Sequence, residues 1–460
     1  MPVWSKNLAR LPLLVLAVAE ASALFASVYI AQAVSVNNSE EFVQPIRHGM
    51  IITPVIMLSL VAMGLYEFHQ RIHFQQVLIR LIVGTVLGAV LLLAMFVVFP
   101  WISITPKEVA VFLIAALAFL FAIRWAFTRV LDRNVFRRRT IVLGAGRRAA
   151  TIFKLRRRAD RRGFEVVASV PTPGDQANPD SEKSQYASKR LPDIVRETGA
   201  NEIVIAMDDQ RGALPVRELL DCKLIGINII DLLEFLERET GKIRLDLVKP
   251  GWLILAPGFR ANRMKDIIKR TLDVMCASIS IVLLSPVMIC IALAIKLNEG
   301  ISAPILYRQR RVGRGNSSID VLKFRSMRVD AEADGKARWA EIDDERVTPV
   351  GAVLRKYRLD ELPQLFNILM GEMSLVGPRP ERPEFIAELA DELPYYAERH
   401  AVKPGLTGWA QLKYAYGSST DDSREKLQYD LWYVKHQSLV LDLMIMLQTA
   451  EVIIWGKGAR

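Results

Sequence analysis

Two neighbouring acidic residues, Asp360 and Glu361, are the part of this sequence best suited to catalysis. Arg355, Lys356 and Arg358 lie just before them, so the two carboxylates stand among several cations. A carboxylate can attack phosphorus, and hard divalent cations take oxygen ligands. The cluster therefore suits a phosphorylated substrate together with a divalent metal ion.

The same acids also suit an ordinary structural role at the start of a helix. Four apolar residues after them recur at the spacing of one helical face: Leu362, Leu365, Phe366 and Leu369. Acidic residues are common in the first turn of a helix, where they cap backbone N–H groups and face the helix dipole. The spacing alone favours this structural role.

Longer motifs surround the acids. DELPQL begins at Asp360, and MSLVGPRP follows it and ends at Pro380. KFRSM begins at Lys323, and VKPGLTGWAQ begins at Val402. Over residues 262–457 these motifs resemble the bacterial sugar transferases, the monotopic class of polyprenyl-phosphate phosphoglycosyl transferases. Several long motifs in the right order are more specific than one short pattern, so the resemblance favours catalytic acids.

The resemblance implies an enzyme that transfers a sugar 1-phosphate from a UDP-sugar to a membrane polyprenyl phosphate, expected to be undecaprenyl phosphate, and releases UMP. Asp360 would be the nucleophile and would form a covalent phosphosugar intermediate. Glu361 would hold Mg²⁺, which neutralises the pyrophosphate. Arg379, in a turn shaped by Pro378 and Pro380, would bind phosphate with its guanidinium fork. The reaction would begin the synthesis of an exopolysaccharide or a related glycan.

Further residues are expected to contact substrate or phosphate: Lys323, Arg325, Arg358, Lys403 and Asp442. Basic residues on a hairpin usually form a solvated face, but a chain that handles a pyrophosphate favours substrate or headgroup contact for some of them. His400 also matches the family pattern. A general base, a structural histidine and a phosphate contact all fit it, and the sequence leaves these open.

Two other functions fit parts of the sequence. An inactive membrane scaffold or sensor would be expected to lack the acids, and both are present. A metal-dependent phosphatase of lipid phosphates would use the same acids but would release free phosphate instead of UMP. The sugar and the lipid length are not specified by the sequence.

Composition sets the broad class. The 460 residues allow two or three domains, and a hydrophobic share of 51% suggests membrane segments. A formal net charge of +11 suits nucleic acid, anionic lipid or phosphorylated substrates. Because the basic residues mostly flank apolar runs, we expect lipid and phosphates as partners and no nucleic acid. Cys222, Cys276 and Cys290 lack metal or disulfide spacing and are expected to be buried, reduced thiols.

Four apolar runs, at residues 11–34, 50–66, 81–99 and 109–127, are each near the length of a membrane-spanning helix. The first lacks a clear signal-peptide cleavage site. Basic residues precede the first run, separate the second from the third, and follow the fourth. By the positive-inside rule, both ends of this four-helix transmembrane domain, residues 1–130, are cytoplasmic. Glu20 lies inside the first run, where it is either functional or paired within the bundle.

Residues 138–250 alternate between predicted strands and helices, which predicts a Rossmann-like α/β domain with a parallel sheet. Gly144, Gly146 and Ala149 fit the G-x-G-x-x-A fingerprint. A dinucleotide site would need an acid at the end of the second strand, and residues 168–171 contain none. We therefore expect no NAD binding, and the resemblance implies a regulatory or structural role.

A fifth apolar run, residues 274–295, is interrupted by Ser285 and Pro286. Basic residues flank both sides, so the positive-inside rule makes both ends cytoplasmic. A broken helix that enters and leaves the membrane on one face satisfies this rule, and a kinked spanning helix is the alternative.

The resemblance implies the re-entrant form for residues 266–296, with the break at Ser285 and Pro286. Lys269, Arg270 and Asp273 match the polar entry motif of such a helix.

The expected fold is a membrane protein with an N-terminal four-helix transmembrane bundle, a Rossmann-like α/β domain, and a mixed α/β catalytic domain at residues 260–460 that carries the re-entrant helix. We expect a multi-pass protein of the bacterial inner membrane with its catalytic domain on the cytoplasmic face. A UDP-sugar, polyprenyl phosphate and the lipid bilayer are the expected partners, and a homodimer is left open.

Overall fold

The computed structural model describes residues 11–35, 44–63, 65–66, 74–98, 105–131, 137–155, 163–175, 186, 189–209, 214–248, 250–259, 263–328, 346–414 and 419–455. The chain forms two compact units, Met1–Thr240 and Gly241–Arg460. Hydrophobic cores lie in both.

Four apolar helices open the first unit: α1 (Leu11–Ser35), α2 (Gln44–Ala62), α3 (Phe74–Val98) and α4 (Pro106–Leu131). Their inner faces meet in a core that includes Leu24, Ile56, Leu60, Ala116 and Leu120. Other large apolar side chains are exposed on their outer faces, among them Val18, Leu93 and Ile114. Helices that are apolar on the outside as well as towards the core suit lipid surroundings.

Among the described residues, three helical segments are long and apolar enough to cross a membrane: Leu14–Val34, Lys107–Phe127 and Arg263–Glu299. Shorter apolar stretches occur at Ile46–Val61 in α2 and Arg80–Leu93 in α3. These helices are compatible with a membrane protein. Some of the basic residues on which the positive-inside prediction depends lie outside the described residues: Lys6, Arg10, Arg71 and Arg133.

Glu20 is fully buried and pairs within the helical bundle. Arg124 Nε donates to Glu20 Oε1 at 2.5 Å, and the Tyr66 hydroxyl donates to the other carboxylate oxygen. Arg124 also donates to the Leu65 carbonyl at 2.6 Å. A buried charge needs a partner of opposite sign, so this pairing accounts for the acid without a ligand.

The rest of the first unit is an α/β domain with eight elements: β1 (Arg138–Leu143), α5 (Arg147–Phe153), β2 (Phe164–Val170), α6 (Leu191–Thr198), β3 (Glu202–Ile205), α7 (Val216–Leu224), β4 (Asn228–Asp231) and α8 (Leu232–Thr240). The strands form a parallel sheet in the order β2-β1-β3-β4. Ile141, Ile194 and Ile203 belong to its buried core. The parallel sheet agrees with the predicted alternation of strands and helices. The polar segment at residues 176–185 lies outside the described residues.

The second unit contains eight α-helices and four strands within its described residues: α9 (Pro250–Leu255), α10 (Arg263–Glu299), β5 (Leu306–Val312), β6 (Ser318–Phe324), α11 (Pro349–Lys356), α12 (Gln364–Met370), β7 (Ser374–Val376), α13 (Pro383–Glu392), β8 (Gly405–Thr407), α14 (Trp409–Lys413), α15 (Thr420–His436) and α16 (Leu439–Trp455). β5 and β6 form the predicted antiparallel hairpin, with Leu306 opposite Phe324. β7 and β8 pair in parallel.

The apolar helix α10 continues through Ser285 and Pro286, so the predicted interruption is not a break in the helix. Ser285 Oγ donates to the Val282 carbonyl at 2.8 Å within the helix. Cys290 is exposed on α10, which contradicts the expectation of a buried thiol. Apolar residues near it on α10 are also exposed, among them Ile289 and Leu293.

The structure differs from two predictions made for the residues around the acids. The acids lie in a 3₁₀ turn, Leu359–Glu361, rather than in the first turn of α12. Leu365 is buried in the core as expected, but Phe366 is 40% exposed, and Ile368 fills the core instead. The buried face of α12 is thus shifted relative to the predicted one.

Candidate active site

The turn that carries the two acids is held in an unusual backbone conformation. Arg358, just before it, has left-handed angles (φ 57°, ψ 23°), which are uncommon for a residue with a side chain. Such a conformation costs on the order of 1–3 kcal/mol and persists only where the surrounding structure holds it. After the turn, Pro363 leads directly into α12. The turn leaves Asp360 9% and Glu361 8% exposed, so both carboxylates are largely shielded from water.

Glu361 is held by cations. Arg379 Nη2 donates to Glu361 Oε1 at 2.7 Å, and Arg358 Nη1 lies 3.5 Å from the same oxygen. Burial by itself raises the pKa of Glu361, but Arg379, Lys323 and Arg358 outweigh it and hold the pKa at about 2. Glu361 is therefore ionised throughout the physiological pH range.

Asp360 has a different environment. Within the described part of the chain, no group donates a hydrogen bond to its carboxylate. Burial raises the pKa of Asp360, and the negative charge of Glu361 raises it further. A carboxylate that accepts no hydrogen bond keeps its lone pairs for attack on an electrophile. Neighbouring acids whose pKa values are shifted in opposite directions can take different chemical roles.

Lys323 is half-buried on β6, and burial lowers its pKa to about 8 against the opposing effect of Glu361. β6 is fastened to α12 by the buried Asn367. Its Oδ1 accepts from Leu322 N–H at 2.9 Å, and its Nδ2 donates to the Asp320 carbonyl at 2.8 Å. Asn367 thus holds Lys323 beside the helix that follows the acids. The sequence analysis did not identify Asn367. A polar residue on the apolar face of a short helix could have indicated that its side chain binds a neighbouring backbone.

Arg325, the other basic residue of the KFRSM motif, makes its contacts at the open end of the hairpin. Its Nε donates to the Pro304 carbonyl at 3.1 Å, and its guanidinium carbon lies 5.7 Å from the centre of the Tyr307 ring. None of these partners is one of the two acids. A role for Arg325 in substrate binding stays a prediction.

Arg379 belongs to the loop of residues 377–380, which we call the arginine loop. Gly405 N–H donates to the carbonyl of the buried Pro378 at 2.9 Å. A Cβ atom on Gly405 would lie 2.0 Å from the backbone nitrogen of Gly377, so only glycine allows this approach. Two motifs that are distant in sequence therefore interlock through their backbones. Pro378 shapes the loop, and its carbonyl is already bound within the chain.

Arg270 and Asp273 bind the backbone of the catalytic unit rather than standing free on α10. Arg270 donates to the Ile368 carbonyl at 2.5 Å and to the Leu369 carbonyl at 2.6 Å, at the C-terminal end of α12. Cations are favoured there because the last carbonyls of a helix lack partners. Asp273 Oδ1 accepts from Leu375 N–H in β7 at 3.0 Å. Both residues thus attach α10 to the elements that follow the acids.

Lys269 and the buried Asp442 form a partly buried ion pair between α10 and α16. Lys269 Nζ lies 2.6 Å from Asp442 Oδ2, and Tyr433 donates to Asp442 Oδ1 at 2.7 Å. The same hydroxyl lies 3.1 Å from the Val376 carbonyl. These contacts give Asp442 a place in the packing of α10, and they do not bring it to the two acids. Its proposed substrate contact stays a prediction.

Lys403 lies at the end of α12 that is opposite the acids. A Cβ atom built on Gly371, just after α12, would lie 3.6 Å from Lys403 Nζ and 3.4 Å from Arg270 Nη2. Burial lowers the pKa of Lys403, and the charge of Arg270 lowers it further. The structure therefore groups Lys403 with the polar end of α10 rather than with Lys323 and Arg379.

His400 has a structural environment. It is buried, and its Nδ1 lies 2.7 Å from Asn316 Oδ1. Burial lowers its pKa to about 4, and the charge of Arg399 acts in the same direction. Of the roles left open by the sequence, this geometry favours the structural one.

The glycine fingerprint of the α/β domain is filled by acids of the chain itself. Asp208 accepts from Arg147 N–H at 2.9 Å and from Arg148 N–H at 2.8 Å, at the start of α5. A Cβ atom on Gly146 would lie 2.0 Å from Asp208 Oδ2, so this glycine is explained by the internal contact. In dinucleotide-binding folds these positions face a pyrophosphate. Here Asp208 of the chain itself accepts from these backbone N–H groups, and the absence of NAD binding stays a prediction.

The site thus combines a buried carboxylate that accepts no hydrogen bond from the described residues, an ionised carboxylate held by arginine, and a half-buried lysine. Such a set suits chemistry at a phosphate group, because the cations neutralise phosphate charge and the free carboxylate can attack phosphorus. Among the described residues, no group of three or more His, Cys, Asp or Glu side chains is placed to hold a metal ion. Mg²⁺ is commonly bound by one or two carboxylates together with substrate phosphates and water, so this pair of acids still fits it.

The family model described as bacterial sugar transferase matches residues 264–456 of this chain. The matched region begins in α10 and contains both acids, the arginine loop and α15.

Individual relatives agree with this match. A UDP-N-acetylgalactosamine-undecaprenyl-phosphate N-acetylgalactosaminephosphotransferase of Aeromonas hydrophila is 41% identical over 55% of this chain and 58% of its own length. A UDP-glucose:undecaprenyl-phosphate glucose-1-phosphate transferase of Escherichia coli strain K12 is 35% identical over 62% of this chain and 61% of its own length. A protein of that same name from Caulobacter vibrioides is 39% identical over 45% of this chain and 78% of its own length. The chain thus spans about three fifths of the first two relatives.

Proposed function

This chain belongs to the bacterial sugar transferase family, and from that premise we propose that it transfers a sugar 1-phosphate from a UDP-sugar to undecaprenyl phosphate and releases UMP. The observation that carries the proposal is the contrast between the two acids. Asp360 is buried and accepts no hydrogen bond from the described residues, whereas Glu361 is ionised and held by Arg379. One acid is available to react, and its neighbour is fixed as a permanent negative charge.

The first displacement forms a covalent intermediate. A carboxylate oxygen of Asp360 attacks the phosphorus that bears the sugar, and an acyl phosphate bond forms. The bond from that phosphorus to the bridging oxygen breaks, and UMP leaves with the electron pair. No proton has to be removed from Asp360 once it is ionised.

The second displacement regenerates the enzyme. A phosphate oxygen of undecaprenyl phosphate attacks the same phosphorus, and the bond to Asp360 breaks. The products are undecaprenyl diphosphate sugar and a free aspartate. Dividing the transfer into two steps lets one site serve a soluble donor and a lipid acceptor in turn.

The cations around the acids match the charge of the substrates. Arg379, Arg358 and Lys323 all act on the charge of Glu361, so they supply positive potential beside the reacting group. Glu361 would hold Mg²⁺ together with phosphate oxygens of the donor. When bound, Mg²⁺ would neutralise the pyrophosphate and assist the departure of UMP.

We further propose that α10 enters and leaves the membrane on the cytoplasmic face. A straight helix of its 37 residues would be about 55 Å long, whereas the hydrocarbon core is about 30 Å thick. Asp273 and Ile295, on either side of the apolar middle, are buried in the second unit, and Val282 and Leu283 between them are exposed. Two anchored ends with an exposed apolar middle support a bend near Pro286.

Each of the three parts of the chain has its own role in this proposal. Residues 1–130 form a four-helix transmembrane bundle of the bacterial inner membrane, residues 138–250 form a Rossmann-like domain with a regulatory or structural role, and residues 260–460 catalyse transfer. The reaction would start an exopolysaccharide or a related glycan. A homodimer stays a prediction.

UMP release tests the proposed function. The full chain in nanodiscs with Mg²⁺ and undecaprenyl phosphate should release UMP from one member of a UDP-sugar panel that includes UDP-glucose and UDP-N-acetylgalactosamine, the donors in the relatives' names. Without the lipid, it should release about one UMP per site and retain the phosphosugar. Release of free phosphate without UMP would instead identify a phosphatase. No release from any donor would overturn the proposal.

A further inference from the structure

We propose that Arg399 and Asp430 are positioning residues, which hold the arginine loop so that the side chain of Arg379 reaches Glu361. Neither residue is expected to touch substrate. The proposal concerns the site of the proposed function, and its kinetic test rests on that function.

The guanidinium of Arg399 lies directly beneath the arginine loop. It is 5% exposed, and its Nη2 donates to the backbone carbonyl of Arg379 at 2.9 Å. Its Nη1 donates to the Tyr396 hydroxyl at 2.7 Å. The arginine that holds Glu361 is therefore itself held, through its backbone, by a second arginine.

Asp430 supplies the charge that keeps Arg399 in place. It lies on α15, is 1% exposed, and its Oδ2 is 2.8 Å from Arg399 Nη2. Arg399 lies in the 3₁₀ turn Ala397–Ala401, so the pair connects α15 to that turn. Removal of one partner would leave the other charge buried and uncompensated.

A second arginine binds the next carbonyl of the same loop. Arg311 Nη1 donates to the Pro380 carbonyl at 3.2 Å. In addition, Val312 N–H donates to the Glu381 carbonyl at 3.0 Å. Successive carbonyls around Arg379 are thus bound from the hairpin on one side and from the Arg399–Asp430 pair on the other. The loop has little freedom to move its side chain away from Glu361.

A role in stability alone does not explain this arrangement. Buried ion pairs are often no more stabilising than well-packed apolar residues of the same volume. The pair lies where its hydrogen bond ends on the backbone of Arg379, whose guanidinium is 2.7 Å from Glu361. The contacts therefore form one continuous path from Asp430 through Arg399 and Arg379 to Glu361.

Hydrogen exchange tests the proposal without any need for activity. The variant Asp430→Asn keeps the shape of the side chain and removes its charge. The variant Arg399→Lys keeps the charge and removes the guanidinium group, whose two nitrogens bind two partners at once. In both variants, amides of residues 375–382 should exchange about tenfold faster than in the wild type. Glu425→Gln is the matched control, because Glu425 lies on the same helix and pairs with Lys242. Unchanged exchange in this segment in either variant that folds would overturn the proposal.

A double-mutant cycle with Arg379→Ala tests the path to the site. Asp430→Asn alone should lower kcat/KM for the UDP-sugar about tenfold. In the Arg379→Ala background, it should lower the remaining rate by less than about twofold, because the group that it positions is gone. Additive losses would overturn the role through Arg379. If the wild type released no UMP, the proposed function would fail, while the exchange measurement would still decide the positioning role.

Discussion

The guanidinium of Arg379 lies 2.7 Å from Glu361 Oε1, and this one contact separates the two neighbouring acids chemically. It helps to hold the pKa of Glu361 at about 2, whereas burial and the charge of Glu361 raise the pKa of Asp360. Two adjacent acids thus have pKa values that are shifted in opposite directions.

Asp360→Asn should abolish transfer and leave the fold intact. The amide keeps the shape of the side chain but cannot form the acyl phosphate, so UMP release should fall by more than about a thousandfold. No covalent label should appear from a UDP-sugar radiolabelled in the sugar. Asp391→Asn, at an exposed acid near the end of α13, is the control and should keep its rate. Substantial activity in Asp360→Asn would rule out the covalent mechanism.

The stability of the wild type relative to Asp360→Asn should depend on pH. The folded pKa of Asp360 lies above its ordinary value of 3.8, so between these two values the folded chain binds more protons than the unfolded chain. Wild-type stability should therefore fall relative to the variant as pH rises through this window, and the difference should then stay constant. Tm measured in detergent from pH 3.5 to 7 checks this. A difference that does not change with pH would contradict the raised pKa.

Lys323 should limit donor binding at high pH. Burial lowers its pKa to about 8, so it carries a charge below pH 8 and loses it above. KM for the UDP-sugar should rise by about tenfold as pH passes through this range, which is the loss expected for a charged hydrogen bond. In Lys323→Arg the guanidinium stays charged, and the rise should disappear. Lys356→Arg, at an exposed lysine that ends α11, should retain the wild-type profile.

Both ends of α10 should be accessible from the cytoplasm. In a background without Cys222, Cys276 and Cys290, single cysteines at the exposed Lys265 and Ser302 should react only with reagents on the cytoplasmic side. Lys265 lies in the first turn of α10 and Ser302 follows the end of the helix, so a spanning helix would place them on opposite sides of the membrane. Labelling of either cysteine from the periplasm would refute the re-entrant path.

Local patterns in the sequence were enough to identify the acids and much of the fold. The alternation of strands and helices predicted a parallel sheet, and the order β2-β1-β3-β4 agrees with it. The motifs around Asp360, Arg379 and Gly405 identified the family, because each motif is a run of consecutive residues that the sequence itself displays. Apolar length likewise predicted helices compatible with a membrane.

Only the tertiary structure decided which charges meet. Glu361 pairs with Arg379, Asp442 with Lys269, and Arg399 with Asp430, and each pair joins segments that are distant in sequence. Residue type shows that a buried charge needs a partner, but several cations near each acid would satisfy that need equally well. Packing decides which cation pairs with which acid, because it fixes the backbone positions of the two residues. For that reason the sequence identified Asp360 and Glu361 as candidates, whereas the fold decided which of them is paired with Arg379.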